Sequence, residues 1–122
     1  MYTYKAKLIR VVDGDTCDAQ IDLGFDVSVK KRIRFAGINA PESRTRDLKE
    51  KARGLAAKDR VKAVLAENPS FTLESTEIGK YGRVLGRIYI NKMDGTESLT
   101  QVCLNEQLIK EGHAVEYHGG KR

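Results

Sequence analysis

"TCDAQIDLGFDVSVKKRIRF", residues 16 to 35, alternates apolar and polar side chains on both sides of Gly24. Before the glycine, Cys17, Ala19, Ile21 and Leu23 fall two apart; after it, Val27, Val29, Ile33 and Phe35 hold the same period. Successive side chains of a strand point to opposite faces, so each run is a strand with one face on a core. Lys30, Arg32 and Arg34 must then project from the other face of the second run. Glycine between two such runs marks a turn, and the pair reads as an antiparallel hairpin.

The same period extends outward. Residues 2 to 12 alternate at Tyr4, Ala6 and Leu8, then change phase to Ile9 and Val11, which predicts a bent or bulged strand. "DGDT" at 13 to 16 is a turn, so the first third of the chain is a meander. From about Asp47 to Glu67 the spacing becomes helical, with Leu48, Ala52, Leu55, Ala56, Val61, Val64 and Leu65 as the apolar positions, and "NPS" at 68 to 70 ends it. A strand at 71 to 76, a glycine-bracketed turn "GKYG" and the strand "RVLGRIYI" follow; Val84, Ile88 and Ile90 share one face, Arg83 and Arg87 the other. A last helix is predicted from about Leu99 to Glu111, ending at Gly112, where a residue without Cβ can take the left-handed cap conformation. Five strands, a helix between the third and fourth and another after the fifth predict a mainly β chain: an OB-type five-stranded barrel with two or three helices.

A chain of 122 residues suits one domain with one core, residues 1–122. Lys and Arg number 22 against 17 Asp and Glu, and the net charge of +5 favours polyanionic partners without selecting one. Cys17 and Cys103 follow no Cys-x-x-Cys or Cys/His spacing, which argues against zinc; both are expected as reduced thiols packed in the core. The N-terminal "MYTYKAKLIR" has no apolar signal region and no stretch is long and apolar enough to span a membrane, so a cytoplasmic, monomeric protein with no obligate protein partner is expected.

Four pieces can carry chemistry: "DGDT", "RIR" at 32 to 34, "INAPE" at 38 to 42 and "KYGR" at 80 to 83. Each alone has a plain structural reading, since Asp-Gly makes hairpin turns, Pro-Glu opens loops and helices, and surface strands carry arginine. Together they supply what phosphodiester cleavage needs: cationic donors for the phosphate, oxygen ligands for a hard cation and a carboxylate to handle water.

In order and spacing, "VVDGDT", "RFAGINAPE" and "KYGRVLGRIY" resemble the three motif blocks of the staphylococcal nuclease-like (thermonuclease) family, and "LNEQLIKEGHA" resembles the helix that follows them; the likeness covers roughly residues 5 to 117. The resemblance implies an OB barrel with helices and a Ca2+-dependent nuclease hydrolysing DNA and RNA. It implies Asp15, Asn39 and the backbone carbonyl of Ala40 as the protein's calcium ligands, Glu42 beside the attacking water, and Arg34 and Arg83 as the catalytic arginines. Lys80 and Tyr81 match positions that contact a terminal phosphate. Tyr117 stands near a base-stacking tyrosine of the family, one residue out of register from Gly112. Asp13 belongs to the motif behind the ligands, and Pro41 stiffens the backbone leading to Glu42. Where the family usually has Asp-Thr, this chain has Asn39-Ala40, which removes a formal charge and a hydroxyl and predicts weaker calcium binding. The chain also ends at "YHGGKR", short of the final helix of longer members. His113 and His118 are expected as ordinary helix-end and tail residues. The alternative from another class is a non-catalytic OB-fold module that only grips nucleic acid. The presence of Arg34, Glu42 and Arg83 together argues for the enzyme, and a purely structural domain leaves them unexplained.

Overall fold

The computed structural model describes residues 2–78, 83–93 and 99–117. Lys80, Tyr81 and His118 lie outside the described residues. Strands β1 (Tyr2–Asp13), β2 (Thr16–Gly24) and β3 (Val27–Phe35) form the expected meander. Then come β4 (Ile38–Asn39), α1 (Leu48–Glu67), β5 (Ser70–Ile78), β6 (Val84–Met93), β7 (Leu99–Cys103), α2 (Leu104–Lys110) and β8 (Val115–Glu116). The principal sheet runs β3-β2-β1-β5-β6-β7, and β3 also pairs with β6. That last pairing is parallel, with Ile33 opposite Val84 and Arg34 opposite Leu85, and it closes β1, β2, β3, β5 and β6 into a five-stranded barrel. The mainly β, OB-type architecture with two helices is therefore the one expected.

The phase change in β1 is a register shift between Leu8 and Arg10. Ile9 is exposed there, and burial resumes at Val11 and Val12. The extra residue bends the strand, as closing a small barrel requires. One continuous core of inward side chains fills the barrel, among them Ile33, Phe35, Leu73, Ile88 and Ile90, with Val61 and Leu65 of α1 and Leu104 and Leu108 of α2 sealed against it. Cys17 and Cys103 are free and buried, and burial above all, then the Asp18 charge, pushes the Cys17 thiol up to about 12. Among the described residues no helix is long and apolar enough to cross a membrane.

Two expectations need correction. Residues Leu99–Cys103 form strand β7 against β6, with Cys103 opposite Tyr89, and α2 begins only at Leu104. Leu99, Val102 and Cys103 are spaced as on a helix, yet a free strand edge offers the backbone a full set of partners and overrides local spacing. The helix does stop where expected: Gly112 has φ 81° and its amide donates to the Ile109 carbonyl. The second correction concerns α1. Asp47 caps it, accepting from the amides of Lys49 and Glu50, but Leu48, Ala52, Leu55 and Ala56 face outward. The first half of α1 instead packs through Gly54 and Ala57, because it lies too close to the neighbouring backbone for larger side chains.

Candidate active site

The barrel's closure builds the site. Arg34 and Leu85 are opposite one another across the parallel β3–β6 ladder, and Arg83, two residues before Leu85, shares their side of the sheet. Two arginines far apart in sequence thus reach one cleft of about 230 Å³, lined by Asp13, Asp15, Thr16, Arg34, Ala40, Pro41, Glu42, Arg44 and Arg83. The seam is fastened from outside. Ala36 donates its amide to the Gly86 carbonyl at 2.8 Å, and the buried Asn105 amide of α2 donates to the carbonyls of both Ala36 and Gly86 while accepting from the Ile88 amide at 3.0 Å.

Asp15 is 7% exposed and sits in the two-residue turn between β1 and β2. Its Oδ1 accepts from the Thr16 hydroxyl at 2.9 Å and its Oδ2 from the Ala40 amide at 2.9 Å, so the turn grips the segment that carries the other site residues. The Arg34 guanidinium lies 3.5 Å from Asp15 Oδ2 and donates to the Phe35 carbonyl at 3.0 Å and to Asn39 Oδ1 at 3.2 Å. With only 14% of its side chain exposed, Arg34 is held in place by the chain's own groups. Behind the cleft, Ser43 is buried and its hydroxyl donates to the Asp13 carboxylate. α1 supports this segment directly, since a Cβ on Gly54 would collide with the carbonyl of Glu42 and the amide of Ser43.

Of the residues singled out in the sequence, the cleft gathers Asp15, Arg34, Ala40, Glu42 and Arg83. Asn39 stands at its edge, bonded to Arg34, and lines an adjoining groove of about 610 Å³ that shares Ala40 and Pro41 with the cleft. Tyr117 and His113 line that same groove. Tyr117 is brought there by β8, which pairs with β4 through Asn39 opposite Val115, and its amide donates to the Gly37 carbonyl at 2.9 Å. Sequence reasoning passed over Thr16, Arg44 and Asn105. The first lay inside the quoted turn, and the second follows Glu42 by the two-residue step that marks a shared face. Nothing local distinguishes Asn105, whose partners are 17 or more positions away.

For a hard divalent cation, the chain offers the Asp15 carboxylate, Asn39 Oδ1 and the Ala40 carbonyl. Each oxygen already engaged keeps a second lone pair. The set is all oxygen and carries one formal charge, so it fits a cation whose remaining ligands are water. Among the described residues, no three His, Cys, Asp or Glu side chains gather as a metal-binding group.

Comparison with known proteins agrees with the architecture. The family model described as staphylococcal nuclease homologue matches residues 32–122. A micrococcal nuclease from Shigella flexneri is 30% identical over 116 residues, covering 93% of this chain, and protein ParB from Escherichia coli is 26% identical over 117 residues, covering 94%. In both cases the chain spans 59% of the relative's length. A family match that takes in the end of β3, both helices and the cleft residues from Arg34 to Arg83, on a barrel closed as described, means that this chain belongs to the staphylococcal nuclease homologue family.

Proposed function

We propose that this protein is a calcium-dependent nuclease that hydrolyses phosphodiester bonds of DNA and RNA in the cleft between the β1–β2 turn and the Pro41–Arg44 segment. The observation that carries the proposal is the convergence of Arg34, Arg83, Glu42 and Asp15 on one small polar cleft from four separate places in the chain. The name of the Shigella flexneri relative supports the same activity.

The roles follow from charge and position. As phosphorus becomes five-coordinate, negative charge grows on its non-bridging oxygens. Guanidinium groups fixed beside them bind that state more tightly than the ground state. Arg34 is fixed by Asn39, Phe35 and Asp15, so it loses little freedom on engaging the phosphate. Glu42 is exposed at the cleft, where its carboxylate can orient a water molecule and accept its proton. Asp15, Asn39 and the Ala40 carbonyl would hold a calcium ion, which would supply Lewis acidity to the phosphoryl oxygens. Thr16, the Ala40 amide and Arg34 keep Asp15 in place, and the part-buried Ser43–Asp13 bond keeps the Glu42 backbone in place.

Plasmid and single-stranded DNA incubated with calcium, and again with excess chelator, test the proposal. Cleavage with calcium that stops with chelator supports it. Undiminished cleavage in chelator would remove the metal from the scheme. Retention of DNA in a gel shift without cleavage under any metal would instead establish the non-catalytic binding module, a reading favoured only by the thin set of charged metal donors.

A further inference from the structure

Three arginines line the cleft, and they are not equivalent. Arg34 and Arg83 are half-buried, whereas Arg44 is exposed. Along the segment after Pro41 the side chains alternate: Glu42 and Arg44 are exposed and line the cleft, while Ser43 between them is buried and tied to Asp13. Arg44 therefore shares the side of the chain that carries Glu42. Its offset from Glu42 is fixed by Ser43 within the segment and by the close approach of Gly54 beneath it.

We propose that Arg44 is a positioning residue for the phosphodiester next to the one being cut, so that the site takes a strand with a flanking phosphate in preference to an isolated phosphodiester. This rests on the phosphodiesterase reading above. An exposed guanidinium stays hydrated and gains little from charge that develops elsewhere, so it grips a flanking phosphate equally in the ground and transition states. Such a contact lowers KM and leaves kcat alone. The planar fork of arginine suits a phosphate held by two parallel bonds, which lysine cannot reproduce. Of the other carboxylates that line the cleft, Asp15 is engaged by Thr16, Ala40 and Arg34 and Asp13 by Ser43, while Glu42 is the one assigned to water.

The test compares wild type, Arg44→Ala and Arg44→Lys on a dinucleoside monophosphate, which has one phosphodiester, and on a trinucleoside diphosphate, which adds a flanking one. The preference for the longer substrate, taken as the ratio of the two kcat/KM values, should fall about tenfold in Arg44→Ala, through KM, with Arg44→Lys between. An unchanged ratio, or a loss carried by kcat on both substrates, overturns the proposal. In parallel, fluorescence anisotropy of a single-stranded oligonucleotide in chelator needs no turnover. There the slope of log affinity against log salt should shrink by about 0.7 in Arg44→Ala, the value for one lost contact to a single strand. An unchanged slope also overturns it. If neither protein hydrolyses either substrate, the phosphodiesterase reading fails by itself, and the anisotropy slope decides Arg44.

Discussion

At the end of the barrel where β1 turns into β2, Asp15, Thr16 and Ser43 are buried polar residues, and glycine lets backbone meet backbone at Gly54. At the end where β2 turns into β3, Leu23, Phe25 and Val27 stand in solvent, Phe25 fully exposed, around a mouth of about 620 Å³. Eight residue steps of the β2–β3 ladder, from Thr16 to Gly24, separate them, or ~27 Å at strand rise. The same two strands thus have one end whose groups are fixed by hydrogen bonds and another that nothing among the described residues covers. A barrel holds both because the closed ladder in between carries the stability, leaving each end free to be shaped by other demands.

The largest effect expected at the polar end is on turnover. Arg34→Ala and Arg83→Ala should each lower kcat on single-stranded DNA by about 10²- to 10³-fold, the usual cost of one donor to a charged transition state. Arg83→Ala should melt close to wild type, while Arg34→Ala should melt somewhat lower, having lost its bonds to Asn39 and Phe35. A large drop in stability with kcat preserved would mean that these arginines hold the barrel together and do no chemistry.

Gly54→Ala comes next. In an exposed helix this change stabilises by ~1 kcal/mol. Here the added carbon meets the Glu42 carbonyl and the Ser43 amide, so a net loss of about 2 kcal/mol in urea unfolding is expected, with a lower kcat as Glu42 moves. A neutral or stabilised variant would show that the polar end is as loosely built as the apolar one.

Away from both ends, Arg60 of α1 pairs with Glu111 beyond α2, at 2.6 Å and 3.0 Å. That hydrogen-bonded guanidinium is the main cause that lowers Glu111 from its ordinary 4.5 to about 2. A depressed carboxyl adds stability above its unfolded value, and that stability disappears as pH falls through the folded one. The loss is therefore expected between about 4.5 and 2. Both side chains are about a third exposed, so solvent screening limits it to ~1 kcal/mol. Denaturant unfolding of Glu111→Gln at pH 7 and below pH 2 checks this: the difference from wild type should vanish at the acid end.

The smallest effect belongs to the apolar end. Phe25 and Asp26 have φ of 54° and 62°, a left-handed pair that suits Asn-Gly and strains a bulky ring. Phe25→Asn should raise stability by about 0.5–1 kcal/mol in thermal melting and leave kcat alone. Destabilisation would show that the exposed ring packs on the barrel mouth after all.

Much of the barrel was legible in the sequence because period two is enforced wherever a strand has one buried face. Cys17, Ala19, Ile21, Ile33 and Phe35 are all inward, as their spacing demands. The pattern weakens toward the tip, where Leu23 and Val27 keep the period but have nothing to pack against. Failures came where a distant partner decided the outcome. β7 forms because β6 has a free edge, and the first half of α1 turns Gly54 inward because the Glu42–Ser43 backbone lies against it. Motif spacing located Asp15, Arg34, Ala40, Glu42 and Arg83 in one cleft. It could not show that Asn39 Oδ1 faces Arg34, a contact set by the turn at Gly37, whose φ is 78°.

The seam between β3 and β6 also ties the site to the molecule's breathing. Arg34 rides on one side of it and Arg83 enters from the other, so an opening fluctuation that parts these strands separates the two guanidiniums while the rest of the sheet stays paired. The Ala36 amide, bonded across that seam to Gly86, becomes open to solvent in the same event. Its hydrogen-exchange rate therefore counts how often the folded chain is momentarily without its arginine pair, a census of opened clefts that melting curves do not register.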